Sequence, residues 1–205
     1  MIHITHGYAL GDRAAATMFA DRKRLFVDEM GWDVPVVADR YEIDQYDGPD
    51  ATYIIARDAD GDHIGSLRLL PTLGPHILGD LFPMLTGGAV PRGAAIREAT
   101  RLCLPTRFDA AERTLLRNRL ISAMVDHALD AGITTLTGVV SRAFRDKLMR
   151  MGWRGTPLGP PAPIGEMELA AFRIEIDAAT PALLAATGIY VPATITAAAP
   201  VAVAA

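Results

Sequence analysis

Three carboxylates crowd into the stretch Arg40-Tyr-Glu-Ile-Asp-Gln-Tyr-Asp47, where Glu42, Asp44 and Asp47 interleave with Tyr41, Ile43 and Tyr46. On an extended backbone the i, i+2 spacing puts Glu42 and Asp44 on one face. Acids mixed with apolar and aromatic residues are drawn toward a core, and a buried carboxylate needs a cation beside it. The fold must therefore bring arginines to this segment or leave it to a positively charged ligand. Arg22 stands upstream of it, Arg68 and Arg101 downstream. Two readings stay open at this point: a buried ion-pair network without chemistry, and the polar wall of a site.

The rest of the chain narrows the fold. With 205 residues, 50% of them apolar, it can bury a full core, and one domain is expected. We place that domain at residues 1–190 and read the Ala- and Pro-rich end, 191–205, as a disordered tail. Residues 11–30 have helical spacing, stopped by Gly31. Residues 51–57 and 63–71 read as two strands joined by a turn at 58–61. Residues 73–94, rich in Gly and Pro, form a long excursion of the lid or disordered type. Ile96–Leu104 reads as a strand; Asp109 and Glu112 form a capping box that opens a helix ended by Gly132. Ile133–Val140 is a buried strand, 141–151 a helix, and 168–176 a strand. The fold class is α/β (α+β): a single mixed, mostly antiparallel sheet with flanking helices.

Charge and composition exclude several functions. Residues 1–96 hold 8 Lys and Arg against 14 Asp and Glu, whereas residues 97–154 hold 11 against 6. A basic middle in an acidic protein suits an acidic partner rather than nucleic acid. No 18-residue apolar run exists, and Met1–His6 lacks the regions of a signal peptide, so a cytoplasmic location is expected. The lone Cys103 fits a reducing compartment and, between Leu102 and Leu104, reads as a core thiol. His3 and His6 have no third ligand at metal spacing, so no metal is expected. In the strand at 96–104, Glu98 can serve as a base or pair with Arg97 or Arg101. Alternation sets Glu98 and Arg101 on opposite faces unless a bulge re-aims one.

Taken in order, Arg22-xxx-Phe26, Gly31-Trp32, Glu42-x-Asp44-xx-Asp47, Ser66-Leu-Arg68-Leu-Leu-Pro71, Phe82 before Pro83, and Glu98-xx-Arg101 resemble the acyl-homoserine lactone synthases of the LuxI-type autoinducer-synthase family. The resemblance is strong over residues 22–101 and weaker over 133–153. It implies an N-acetyltransferase-like fold and acyl transfer from acyl carrier protein to S-adenosylmethionine. Lactonisation then follows, with release of methylthioadenosine and without a cofactor. It implies Glu98, Asp44 and Arg101 as catalytic residues, and Arg22, Phe26, Trp32, Glu42, Asp47, Arg68 and Phe82 around S-adenosylmethionine. Trp32 and Phe26 can offer aromatic faces to its sulfonium.

Within that resemblance, strand 133–140 lines the acyl chain, with Met124, Leu148 and Met149 as walls. Ser141 lies near the position where relatives that make 3-oxo products carry Thr; its other reading is the N-cap of the following helix. Arg142, Arg145, Lys147 and Arg150 form the expected carrier-binding surface, with a solvated helix face as the alternative. The competing functions are the same synthase using acyl-CoA, an ordinary N-acetyltransferase, and a non-catalytic binding module. The acetyltransferase would normally carry a Q/R-x-x-G-x-G/A loop, and the nearest match here, Gln45–Asp50, ends in Asp.

Overall fold

The structure, a computed structural model, describes residues 1–192 and, as backbone, 195–197. In chain order the strands are β1 (Ile2–His6), β2 (Val36–Val37), β3 (Tyr41–Glu42), β4 (Thr52–Arg57), β5 (His63–Pro71), β6 (Ile96–Cys103), β7 (Thr135–Ser141), β8 (Arg154–Pro157), β9 (Ala162–Ile164), β10 (Met167–Glu175) and β11 (Ile195–Ala197). The α-helices are α1 (Arg13–Arg22), α2 (Ile77–Asp80), α3 (Ala110–Asp130), α4 (Arg142–Leu148) and α5 (Thr180–Ala186). A π-helix, Lys23–Glu29, continues α1, and a 3₁₀ turn occupies Pro83–Leu85. The main sheet runs β11-β1-β4-β5-β6-β7-β10-β8, with β9 on β10. It is mixed and mostly antiparallel: β1–β4, β10–β7, β10–β8 and β10–β9 are antiparallel, β6–β7 and β1–β11 parallel.

The chain divides into two compact units. The first holds Met1–Arg68, Arg101–Ala123 and Pro192–Ala205; the second holds Leu69–Thr100 and Met124–Val191. Both boundaries within the sheet cut a strand, β5 after Arg68 and β6 after Thr100.

In the first unit Phe19, Tyr53 and Tyr8 pack edge to face at 4.6–6.2 Å. In the second, Leu78, Leu85, Leu169 and Ala171 form an apolar cluster, joined by half-buried Phe82, Val90, Val139 and Leu158. That cluster corrects the reading of 73–94 as a lid or disordered loop. Ile77, Leu78 and Leu85 are buried, and the apolar area they remove from water holds the excursion down. The capping box forms reciprocally, Glu112 N–H to Asp109 at 2.8 Å and Asp109 N–H to Glu112 at 2.9 Å. Within the tail, Ile195–Ala197 pairs with Ile2–Ile4, so this part is a strand; residues 193, 194 and 198–205 lie outside the described residues.

Candidate active site

The site in the first unit starts with a change of helical pitch. Asp12 caps α1 by accepting the Ala15 N–H at 3.0 Å. After Arg22 the α-helix widens into the π-helix, where Met30 N–H reaches back five residues to the Leu25 carbonyl at 3.0 Å. The 3.6-residue reading of 11–30 misses this, since such insertions carry no periodic signal of their own. Gly31, at φ +67, then turns the chain out of the helix. Trp32 donates its N–H to the Phe26 carbonyl at 2.8 Å, and its ring stacks on Phe26 with centroids 4.8 Å apart and planes 9° apart.

The acidic motif is held by its own backbone. β3 pairs with β2 through Val36↔Glu42, and Ala38 and Asp39, both at positive φ, make the tight turn between them. Beyond β3 the chain turns on itself. Asp44 N–H donates to Asp47 Oδ2 and Tyr46 N–H to Asp44 Oδ1, each at 2.9 Å.

Three arginines converge on these acids. Arg22 forks onto Asp47 with two bonds of 2.9 Å and sends Nε to Glu42 Oε2 at 2.6 Å. Arg68 forks onto Asp44 at 2.6 and 3.0 Å and also lies 2.7 Å from Asp47 Oδ1. One nitrogen of Arg101 bridges Asp44 at 2.7 Å and Glu42 at 3.0 Å. Tyr53 completes Asp47 with a 2.8 Å bond. Glu42 and Asp44 share Arg101 as a partner, although β3 ends at Glu42 and Asp44 lies in the turn beyond it. Arg101 is aimed there by its backbone. It sits at φ +51 inside β6, the bulge-like departure that lets it leave the strand's alternation. A left-handed arginine costs about 1–2 kcal/mol, and two charge-assisted contacts offset that strain. Its guanidinium lies 5.6 Å from the Phe26 centroid and 5.9 Å from that of Trp32.

The three arginines and three acids are nearly fully buried, with Arg101 the most accessible of the arginines at 9% of its side chain. Burial acts against the charges of Arg22, Asp47 and Arg68, but their partners outweigh it. Arg22 and Arg68 hold the Asp47 carboxyl well below its ordinary 3.8, and Asp44 and Asp47 keep Arg68 firmly protonated. Burial, with the Asp47 charge, keeps Tyr53 in its phenol form.

A second polar chain in the same unit escaped the sequence reading. Asp21 accepts from Arg107 at 2.7 Å and Arg24 at 2.9 Å and meets His63 Nδ1 at 2.7 Å; His63 Nε2 lies 2.9 Å from Ser66 Oγ. No local pattern links residues 21, 63, 66 and 107, so only the fold reveals them. Burial holds the His63 pKa below 6.5. Burial would raise Asp21, but hydrogen bonds from His63 and Arg107 bring it below 3.8.

The sign of the pH effect follows. Below about 6.5 the unfolded chain protonates His63 and the folded chain does not, so stability is lost as the pH is lowered, by at most about 1.4 kcal/mol per pH unit. Below about 3.8 Asp21 and Asp47 add to the loss. Urea midpoints measured against pH should show both stages, and His63→Gln should flatten the first. A first stage that persists in that variant rules out His63 as its source.

The other expected residues lie in the second unit, apart from Cys103. Glu98 is fully buried in β6, and its Oε1 accepts the Leu78 N–H at 2.8 Å. Phe82, expected beside S-adenosylmethionine, is half-buried against Leu78, Leu85, Leu169 and Ala171. Met124 and Leu148 are buried, and Met149 packs toward Gly155. Ser141 caps α4, its Oγ accepting the Phe144 N–H at 3.3 Å. Arg142, Lys147 and Arg150 are exposed. Arg145 is corrected: it is 7% exposed and donates to the Gly159 carbonyl at 3.3 Å, so it ties down a loop rather than facing a partner. Cys103 is fully buried, and burial pushes its thiol up, away from the reactive thiolate. Among the described residues no cluster of His, Cys, Asp or Glu could hold a metal ion, and no helix is long and apolar enough to cross a membrane.

Comparison with known proteins fits this geometry. The chain is 34% identical over 187 residues to an acyl-homoserine-lactone synthase of Ralstonia nicotianae, covering 89% of this chain and 92% of the relative. It is 35% identical over 169 residues to one of Rhizobium etli, covering 80% and 79%. Among solved structures it resembles BjaI, a CoA-dependent acyl-homoserine lactone synthase solved with MTA and also with SAM and isopentyl-CoA. That match has a TM-score of 0.84 and 26% identity and covers 98% of this chain and 94% of that one. An acyl-CoA N-acyltransferase of Pseudomonas aeruginosa, 14% identical at a TM-score of 0.60 over 84% of this chain and 97% of that one, shares the fold. The autoinducer synthase profile matches residues 8–183. This chain belongs to the autoinducer synthase family, among the acyl-homoserine-lactone synthases.

Proposed function

We propose that this enzyme, in the cytoplasm, transfers an acyl group from acyl carrier protein to the amine of S-adenosylmethionine and closes the product to an N-acyl-homoserine lactone. The observation that carries the reading is the charge-neutral frame of Arg22, Arg68 and Arg101 with Glu42, Asp44 and Asp47. S-adenosylmethionine brings a carboxylate, an ammonium and a sulfonium, and such a frame offers each an opposite charge. Arg101 can exchange Glu42 or Asp44 for the substrate carboxylate. The Phe26–Trp32 stack already holds a guanidinium near its rings and can accept a sulfonium in the same way.

The amine attacks the thioester carbonyl, and the carrier thiol leaves. An α-amino group with a pKa of about 7.7–8 needs little help to lose its proton, and Glu98 is the base we assign. The methionyl carboxylate then attacks its own γ-carbon, the C–S bond breaks, and methylthioadenosine departs. This intramolecular step needs a bent conformer, which the frame imposes. Incubating the purified protein with S-adenosylmethionine and acyl thioesters, followed by mass spectrometry, tests the reading. Lactone and methylthioadenosine in equal amounts support it; acetylated amines alone would mark an ordinary acetyltransferase.

The donor has two readings. The exposed Arg142, Lys147 and Arg150 favour an acidic carrier protein, whereas the similarity to BjaI favours acyl-CoA. Lys147→Glu with Arg150→Glu should raise the apparent KM for carrier-borne substrate roughly 2- to 30-fold, from about 0.2–1 kcal/mol per exposed pair. Added salt should have the same effect on the unmodified enzyme. An unchanged KM with the carrier, alongside efficient use of acyl-CoA, assigns the donor to CoA.

A further inference from the structure

Thr137 is a polar residue at a place where the fold has no use for one. It lies in β7 with its side chain fully buried, and among the described residues its hydroxyl has no hydrogen-bond partner. A buried hydroxyl left unpaired destabilises a fold, and valine would fill the same volume without that loss.

Its neighbours give the hydroxyl a use. In the parallel ladder of β6 with β7, Thr137 pairs with Glu98, and in the antiparallel ladder of β7 with β10 it pairs with Arg173. Side chains alternate along a strand and paired residues share a face, so acid, hydroxyl and guanidinium stand in one row. Val139 and Ala171, two residues along on that face, belong to the apolar cluster around Leu78 and Leu85. In the other direction stand Thr135 and Glu175; Glu175 lies 2.6 Å from Arg173 and accepts from Thr135 at 3.3 Å. Arg173 and Glu175 are 40% and 45% exposed, whereas Glu98 and Thr137 are sealed from water. Glu98 already accepts the Leu78 N–H at 2.8 Å. An N–H can hold a carboxylate, but it cannot accept the O–H that forms when a base takes its proton; a hydroxyl can. Adjacent strands lie about 4.8 Å apart, within the swing of a glutamate side chain.

We infer that Thr137 is a positioning residue for the base: its hydroxyl accepts the O–H of Glu98 once the carboxylate has taken a proton from the substrate amine, and so holds the glutamate arm in line for that transfer. The proton moves from nitrogen to a Glu98 oxygen, the freed lone pair forms the C–N bond, and the C–S bond of the thioester breaks. This role rests on the synthase reading and on Glu98 as its base.

The test measures kcat/KM for lactone formation against pH, with melting temperatures, for the unmodified enzyme and for Thr137→Val, Thr137→Ala, Thr137→Ser, Glu98→Gln and the double variant Thr137→Val with Glu98→Gln. Valine removes a hydroxyl the fold does not use, so the melting temperature should hold or rise; alanine keeps the test open if valine disturbs the strand. Near neutral pH both should lower kcat/KM about 10- to 100-fold, the scale on which a misplaced reacting group costs rate. The loss should lie in kcat and shrink through about pH 8 as free amine accumulates. Serine should restore most of the rate. With Glu98→Gln already present, valine should cost less than about twofold, because nothing remains to position. Unchanged kcat/KM in both hydroxyl-free variants overturns the inference, and so does a loss that serine does not restore or that is equally large without Glu98. Failure of the unmodified enzyme to make lactone from any acyl thioester would instead overturn the synthase reading, and full activity of Glu98→Gln the choice of base.

Discussion

Arg68→Ala is expected to cost about 3–5 kcal/mol of folding stability and to abolish lactone formation. Arg68 is fully buried and makes a two-pronged contact with Asp44 and a third contact with Asp47. Its removal leaves two carboxylates short of a countercharge in a place water cannot reach, which is the costly way to break such a network. Urea unfolding and product mass spectrometry read the two losses separately. Arg101→Ala should differ in kind. Arg101 retains some exposure and a strained backbone, so stability should fall less while activity is still lost. Near-normal turnover by either purified variant would remove the frame from the substrate site and leave it a structural network.

Glu98→Gln is expected to lower kcat/KM by about 10²- to 10⁴-fold with little change in melting temperature. Glutamine keeps the shape and an oxygen to accept the Leu78 N–H, so the fold around α2 has what it needs. What it loses is the ability to take a proton. The rate of the variant should then climb with pH through about 8 as free amine accumulates unaided. A variant that melts early and keeps the parent's pH profile would show that Glu98 only anchors α2.

The sequence made the acids legible because their spacing carried two independent signals. The i, i+2 spacing suggested a common partner for Glu42 and Asp44, and their mixing with Tyr and Ile implied burial. Asp109 and Glu112 were legible because a cap is a local arrangement, complete within four residues. Arg101 was half legible: the strand was clear, but the positive φ that frees its side chain is imposed by packing. Arg145 was misplaced because its charge suggests a surface, whereas its turn of α4 faces a loop carbonyl that composition does not reveal. Phe82 shows the same limit, since Asp80-Leu-Phe-Pro83 looks like a loop until Leu78 and Leu85 are seen to hold it. The Asp21–His63–Ser66 chain joins helix to strand across more than forty residues, and nothing local announces it.

The six buried charges come from four separate segments, around residues 22, 42–47, 68 and 101. During folding they act as a register lock. A one-residue slip of β5 would swing Arg68 to the opposite face of the sheet and leave Asp44 and Asp47 short of its charge. Apolar residues tolerate such a slip far better, because one hydrophobic side chain can replace another in a loosely formed core. Charges cannot be exchanged in this way, so misaligned compact states are penalised by the same groups that pair with one another in the native state. The ion pairs that close the native frame also reject its wrong folds.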